Sequence, residues 1–91
     1  MIIIKSQEEI EIMKEAGGVT ASILEELNRI ICPGISTIEI DAYVEDRILQ
    51  EKMTPAFKGY SGFPSSICVS INKEVVHGIP SKKRKLIEGD I

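Results

Sequence analysis

Residues 59 to 80, GYSGFPSSICVSINKEVVHGIP, hold the only imidazole of the chain, His77, and a thiol, Cys68, at strand spacing from it. An imidazole exchanges its proton near neutral pH, and a thiol is a polarisable group that attacks only as the thiolate. If the segment is a strand pair turning at Asn72-Lys73, Cys68 lies across from His77 and Ser70 across from Val75, with Cβ atoms about 4.5 to 5.5 Å apart. A three-residue loop over Asn72 to Glu74 instead sets Val69 opposite His77. A thiol-imidazole nucleophile also requires an orienting third group and an oxyanion hole, and nothing in the sequence identifies either. Two soft ligands are too few for a closed zinc site. On residue types alone, a single histidine beside a glycine on a strand is more often structural than catalytic.

Just before this segment, Phe57, Tyr60 and Phe63 fall within seven residues of one another. Pro55, Gly59, Gly62 and Pro64 exclude long regular elements from Met53 to Pro64, which reads as an ordered loop. Burying each ring gains roughly 1.5 to 3 kcal/mol, so the three either complete the core or line a pocket.

The elements that must position these groups lie upstream. Ser6-Gln7-Glu8-Glu9 is a capping-box pattern, and apolar residues then recur at Ile10, Met13, Gly17, Ala21, Leu24, Leu27 and Ile31. Ile12, Ala16, Val19, Ile23 and Ile30 widen that stripe, predicting a long helix buried over more than half its circumference, with Gly17-Gly18 as a weak point or a close-packing contact. Cys32-Pro33-Gly34 ends it. Ser36-Thr37-Ile38-Glu39 repeats the box, and a second helix to about Lys52 is expected to bury Ile38, Ile40, Ala42, Val44, Ile48 and Leu49 while Asp41, Glu45, Asp46 and Arg47 face water. Ile67 to Ile71 and Val75 to His77 then read as an antiparallel β-hairpin. The expected class is therefore α+β, with two helices, an aromatic loop and a hairpin in one small domain over residues 1–91.

Composition narrows the function classes. Ninety-one residues with 43% hydrophobic side chains fit one globular unit that buries only about 60 to 65 per cent of its unfolded surface. A net charge of −3, with Glu8, Glu9, Glu11, Glu15, Glu25 and Glu26 in the first half, argues against a nucleic-acid partner. The basic run Lys82-Lys83-Arg84-Lys85 has no interleaved aromatic for base stacking and reads as a solvated loop, with a polyanion contact as the lesser alternative. Cys32 and Cys68 are expected to be free thiols in a reducing compartment, and Met1-Ile2-Ile3-Ile4 is too short for a membrane span or a signal core. A cytoplasmic location without membrane partners is the expectation.

The strings from Gly59 to Asn72, from Glu74 to Pro80 and from Leu86 to Ile91 closely resemble type I methionine aminopeptidases. Ile4-Lys5-Ser6 and Pro33-Gly34-Ile35-Ser36-Thr37 also match the opening segments of that family, so the resemblance spans the chain. It implies the N-terminal half of a pita-bread fold and removal of the initiator methionine from nascent polypeptides, whose N-terminus would be the partner. In the family the residue matching His77 lies beside the scissile peptide and donates a hydrogen bond as negative charge develops. Those matching Tyr60, Phe63 and Cys68 line the methionine pocket. Phe57 stands where a cysteine is common and is expected to narrow or reshape that pocket; Ser61 stands where a histidine is common, leaving His77 the only imidazole there.

The resemblance further implies two divalent metal ions, Co, Mn, Fe or Zn, held by two aspartates, a histidine and two glutamates, all past the point matching Ile91. Asp90 matches the aspartate of a Gly-Asp pair that precedes the first ligand, so no metal residue is assigned in this chain. The 91 residues alone are therefore expected to bind no metal and to be inactive, depending on a missing C-terminal half or self-associating through an exposed strand edge. The alternative is a catalytically dead relative that binds peptides or other partners.

Overall fold

Ser6 opens α1, Gln7–Ile30, by reciprocal capping: its Oγ accepts from the Glu9 N–H at 3.2 Å, and the Glu9 carboxylate accepts from the Ser6 N–H at 2.8 Å. Both bonds satisfy donors that a first turn leaves without partners. The computed structural model describes residues 2–91, so Met1 of the opening apolar run lies outside the described residues. The helix stops before Cys32-Pro33, with Ile31 already extended, and Gly34 at φ 97° turns the chain toward α2, Thr37–Gln50. Only one arm of the second box forms, with Ser36 Oγ accepting from the Glu39 N–H at 3.3 Å.

The core sits where the two helices meet. Ile23 and Leu27 of α1 pack with Ile40 and Val44 of α2, and Val19, Ile35, Tyr43, Ile48, Ile67 and Leu86 close around them. The expected burial of α1 over half its circumference is corrected, because Ile23 and Leu27 are its only buried residues. Ile12 and Leu24 remain 67% and 63% exposed. Length explains the open N-terminal part: 24 residues run about 36 Å and 14 run about 21 Å, so α2 spans little more than half of α1, while Leu24, between the buried Ile23 and Leu27, lies on a side of the helix that α2 does not cover. On α2, Ile40 and Val44 are buried as expected, whereas Ala42 and Leu49 are exposed and Asp41, expected in water, is only 6% exposed.

An ion cluster ties the helices beside that core. Arg47 grips Glu26 through two bonds, Nε to Oε1 at 2.7 Å and Nη2 to Oε2 at 2.9 Å, and the Tyr43 hydroxyl donates to the same carboxylate. Such bidentate pairing is stronger and more directional than a single ionic contact. The Arg47 bonds, then the Tyr43 bond, bring the Glu26 carboxyl down to about 2. A carboxyl depressed in the folded state contributes stability that is complete above its unfolded value near 4.5 and lost as pH falls through about 2. Urea midpoints measured from pH 5 to pH 2 should fall steeply in the native chain and more shallowly in Glu26→Gln. Parallel pH profiles would show that the cluster adds nothing to folding.

The expected hairpin is absent. The described residues form two α-helices and one short 3-10 turn, Tyr60–Gly62, with no strand, so the α+β assignment is corrected to a helical fold with long ordered loops. The turn itself lies at Asn72-Lys73, closed by the Glu74 N–H to the Ile71 carbonyl at 3.1 Å. Beyond it the two arms do not form a ladder: the Val69 N–H reaches the Gly78 carbonyl at 2.9 Å, two residues past the expected Val76. Side chains take the places of ladder partners, since the Gly78 N–H donates to Ser70 Oγ and the Ile71 N–H to Glu74 Oε1. Positive φ at Asn72 and His77 bends the arms further from strand geometry.

The remaining chain docks on the start of α2 through backbone bonds. Thr37 N–H donates to the Arg84 carbonyl, Leu86 N–H to the Ile35 carbonyl and Gly34 N–H to the Leu86 carbonyl, with one antiparallel bridge at Ser36 and Lys85. Within the basic run Lys82, Lys83 and Lys85 are exposed, and Arg84 pairs with Glu74. No helix among the described residues is long and apolar enough to cross a membrane.

Candidate functional site

The aromatic loop folds into a knuckle on its own backbone. Tyr60 N–H donates to the Phe57 carbonyl, Phe63 N–H to the Tyr60 carbonyl, and Gly59 N–H to the Phe63 carbonyl, at 2.8 to 3.0 Å. Gly59 makes this possible with φ at 83°, a region that resists a side chain. The tight fold leaves the rings outside the core: Phe57 and Tyr60 are 54% and 74% exposed. Of the two places open to the aromatics, the structure gives them the pocket.

That pocket is a cavity of about 580 Å³ walled by Phe57, Tyr60, Phe63, Cys68, His77 and Ile79. All five residues singled out in the sequence border it. Cys68 is half-buried and His77 exposed. A single backbone bond joins their neighbours, since the residue after Cys68 donates to the residue after His77. Ile79 escaped the sequence reading, although its position two residues from His77 gave a signal. A second and larger cavity, about 730 Å³, is almost wholly apolar and runs between the helices; Phe57 and Cys68 line it too.

Carboxylates around the site serve the backbone. The Asp90 side chain accepts from the Ile87 N–H at 2.9 Å and from Asn72 Nδ2 at 3.0 Å, and those bonds, in that order, hold its carboxyl below the usual range. The Ile71 N–H, then Arg84, lower Glu74 in the same way. The Glu45 carboxylate beside Lys58 pushes that ammonium upward. Asp41 Oδ1 accepts from the N–H groups of Ser66 and Ile67 at 2.8 and 3.0 Å. The sequence held a clue to its burial: Asp41 follows Thr37 by four residues and precedes Val44 by three, which puts it on the inner stripe of α2. Among the described residues no three His, Cys, Asp or Glu converge, so this donor set does not fit a divalent metal. No hydrolytic step is assigned to a metal here.

Along its whole length the chain is 53% identical to a methionine aminopeptidase of Clostridium acetobutylicum and 53% identical to methionine aminopeptidase 1 of Bacillus subtilis. It spans 36% of each of those relatives. The crystal structure of methionine aminopeptidase from Thermotoga maritima superposes with a TM-score of 0.95 at 44% identity, covering 100% of this chain and 36% of that one. The Rickettsia prowazekii methionine aminopeptidase gives 0.92 at 36% identity, covering 99% of this chain and 36% of that one. Over the matched third the backbone thus follows solved methionine aminopeptidases, although the hairpin is lacking. Metallopeptidase family M24 matches residues 11–91, and the chain belongs to that family.

Proposed function

We propose that this chain forms the substrate-side part of a methionine aminopeptidase, receiving the first side chain of a nascent polypeptide in the cavity of Phe57, Tyr60, Phe63 and Cys68. The observation that supports this reading is the gathering of an aromatic trio, a thiol and the only imidazole around one hollow. Its volume falls within the range of about 300 to 1,000 Å³ common to small-molecule sites. A thioether suits the lining, since sulfur gains from aromatic edges and from burial together. The exposed His77 imidazole borders the hollow, where it can donate a hydrogen bond to the carbonyl oxygen or leaving amine as charge develops.

In this reading the divalent metals and their ligands belong to the part of such an enzyme that follows the matched third, in the cytoplasm where nascent chains emerge. The same part would cover the larger apolar cavity and the bare face of α1, where Ile10, Ile12, Met13 and Leu24 meet solvent. With no strand among the described residues, this face and not a strand edge is the contact surface.

A chimera tests the proposal. Residues 1–91 joined to the part of the Clostridium acetobutylicum relative that follows the match should release methionine from Met-Ala-Ser when a divalent metal is supplied, whereas the 91-residue polypeptide alone should release none. A folded chimera that neither binds nor cleaves the peptide would refute the reading. A chimera that binds without cleaving would favour the peptide-binding alternative.

A further inference from the structure

Asp41 and Glu45 stand one turn apart on α2, and each reaches a different end of the same loop. Lys58, at the first stem, donates to Glu45 Oε1. At the second stem, the Ser66 and Ile67 N–H groups converge on Asp41 Oδ1. Between the stems lie Tyr60 and Phe63; Cys68 follows Ile67 directly. We propose that Asp41 and Glu45 are positioning residues for the aromatic cavity, pinning both stems of the loop to α2 so that the rings and the thiol face one hollow.

The two contacts differ in weight. Asp41 is 6% exposed and holds two backbone donors that have no helix or strand to serve them. Removing it strands two amides next to the core, and buried donors left unpaired are costly. The Glu45–Lys58 pair is more open, with side chains 26% and 49% exposed, and exposed pairs contribute little. Asp41 therefore carries most of the effect. Neither residue touches the hollow, so both act through the groups they hold.

Cys68 reports on this arrangement directly. In a Cys32→Ala background, alkylation by iodoacetamide should speed up about tenfold in Asp41→Ala and stay within about threefold of the parent in Asp41→Asn, whose carbonyl still accepts both N–H groups. Helix content by circular dichroism should be unchanged. Lys58→Met should give a smaller rise, about twofold. In the chimera, Asp41→Ala should raise KM for Met-Ala-Ser more than it lowers kcat, and Asp41→Asn should restore it. An unchanged alkylation rate in a folded Asp41→Ala overturns the proposal, as does an Asn variant no better than Ala. Should Asp41→Ala not fold, Lys58→Met decides: a rise upholds the clasp and an unchanged rate ends it. The ligand assignment rests on the function proposed above, but the alkylation arm does not; a chimera without activity sinks that function while the thiol still judges the clasp.

Discussion

His77→Ala in the chimera lowers kcat for methionine release by about 10² to 10⁴-fold and leaves KM within a few-fold of the parent. The direction follows from where the imidazole sits. His77 is exposed and borders the hollow as its one imidazole, while in the proposed function the rings and the thiol supply the lining for the side chain, so loss of the imidazole removes an interaction made chiefly as charge develops. Backbone geometry supplies the control. His77 has φ at 59°, a left-handed conformation that costs alanine about 1 kcal/mol or more, but that asparagine adopts readily. Asparagine also keeps a donor beside the hollow. His77→Asn should therefore hold the native fold and retain more kcat than His77→Ala. A kcat for the alanine variant within threefold of the parent would remove His77 from the chemistry.

Gly78→Ala should destabilise the chain by about 3 kcal/mol or more and abolish the cavity. A Cβ at position 78 would lie 1.9 Å from the Val69 carbonyl oxygen, 2.7 Å from its carbon and 3.0 Å from the Ser70 Cα. Every one of those atoms is backbone, so no rotamer change relieves the clash. The arms must part, and with them go the Val69 N–H bond to the Gly78 carbonyl and the Gly78 N–H bond to Ser70 Oγ. A domain of this size has few kcal/mol in reserve. Gly17→Ala provides the contrast: a Cβ there meets nothing within 4 Å, so α1 should gain about 0.5 to 1 kcal/mol from better helix propensity. Urea unfolding of both variants checks the pair. Equal midpoints for Gly78→Ala and the native chain would mean that the arms are not in contact in solution.

The helices were readable in advance because their signals are local. Ser6 with Glu9 and Cys32-Pro33-Gly34 act within a turn of chain, and α1 begins and ends where they stand. How far α1 is covered was not readable, since periodicity reveals an apolar face but not whether a shorter neighbour reaches it. The hairpin misled for a related reason. Alternating Ile, Val and Cys describe a chain suited to a sheet, but whether a ladder forms depends on what else competes for its amides, and Ser70 and Glu74 do. The turn at Asn72-Lys73 lies where the sequence puts it, but the arms do not pair as strands, so strand alternation does not bring Cys68 and His77 together. The Val69 N–H bond to the Gly78 carbonyl, one residue past each of them, holds the two arms at one hollow instead. Asp41 was read as a solvated acid by residue type, and only its place on the inner stripe of α2 spoke otherwise.

Phe57 and Cys68 border both hollows, the smaller one that His77 lines and the larger greasy one against the helices. Each of them faces both spaces, so the party wall is a single side chain thick. Shaving that wall from either side enlarges the room on the other, so whatever packs into the larger hollow also sets the dimensions of the chamber next door.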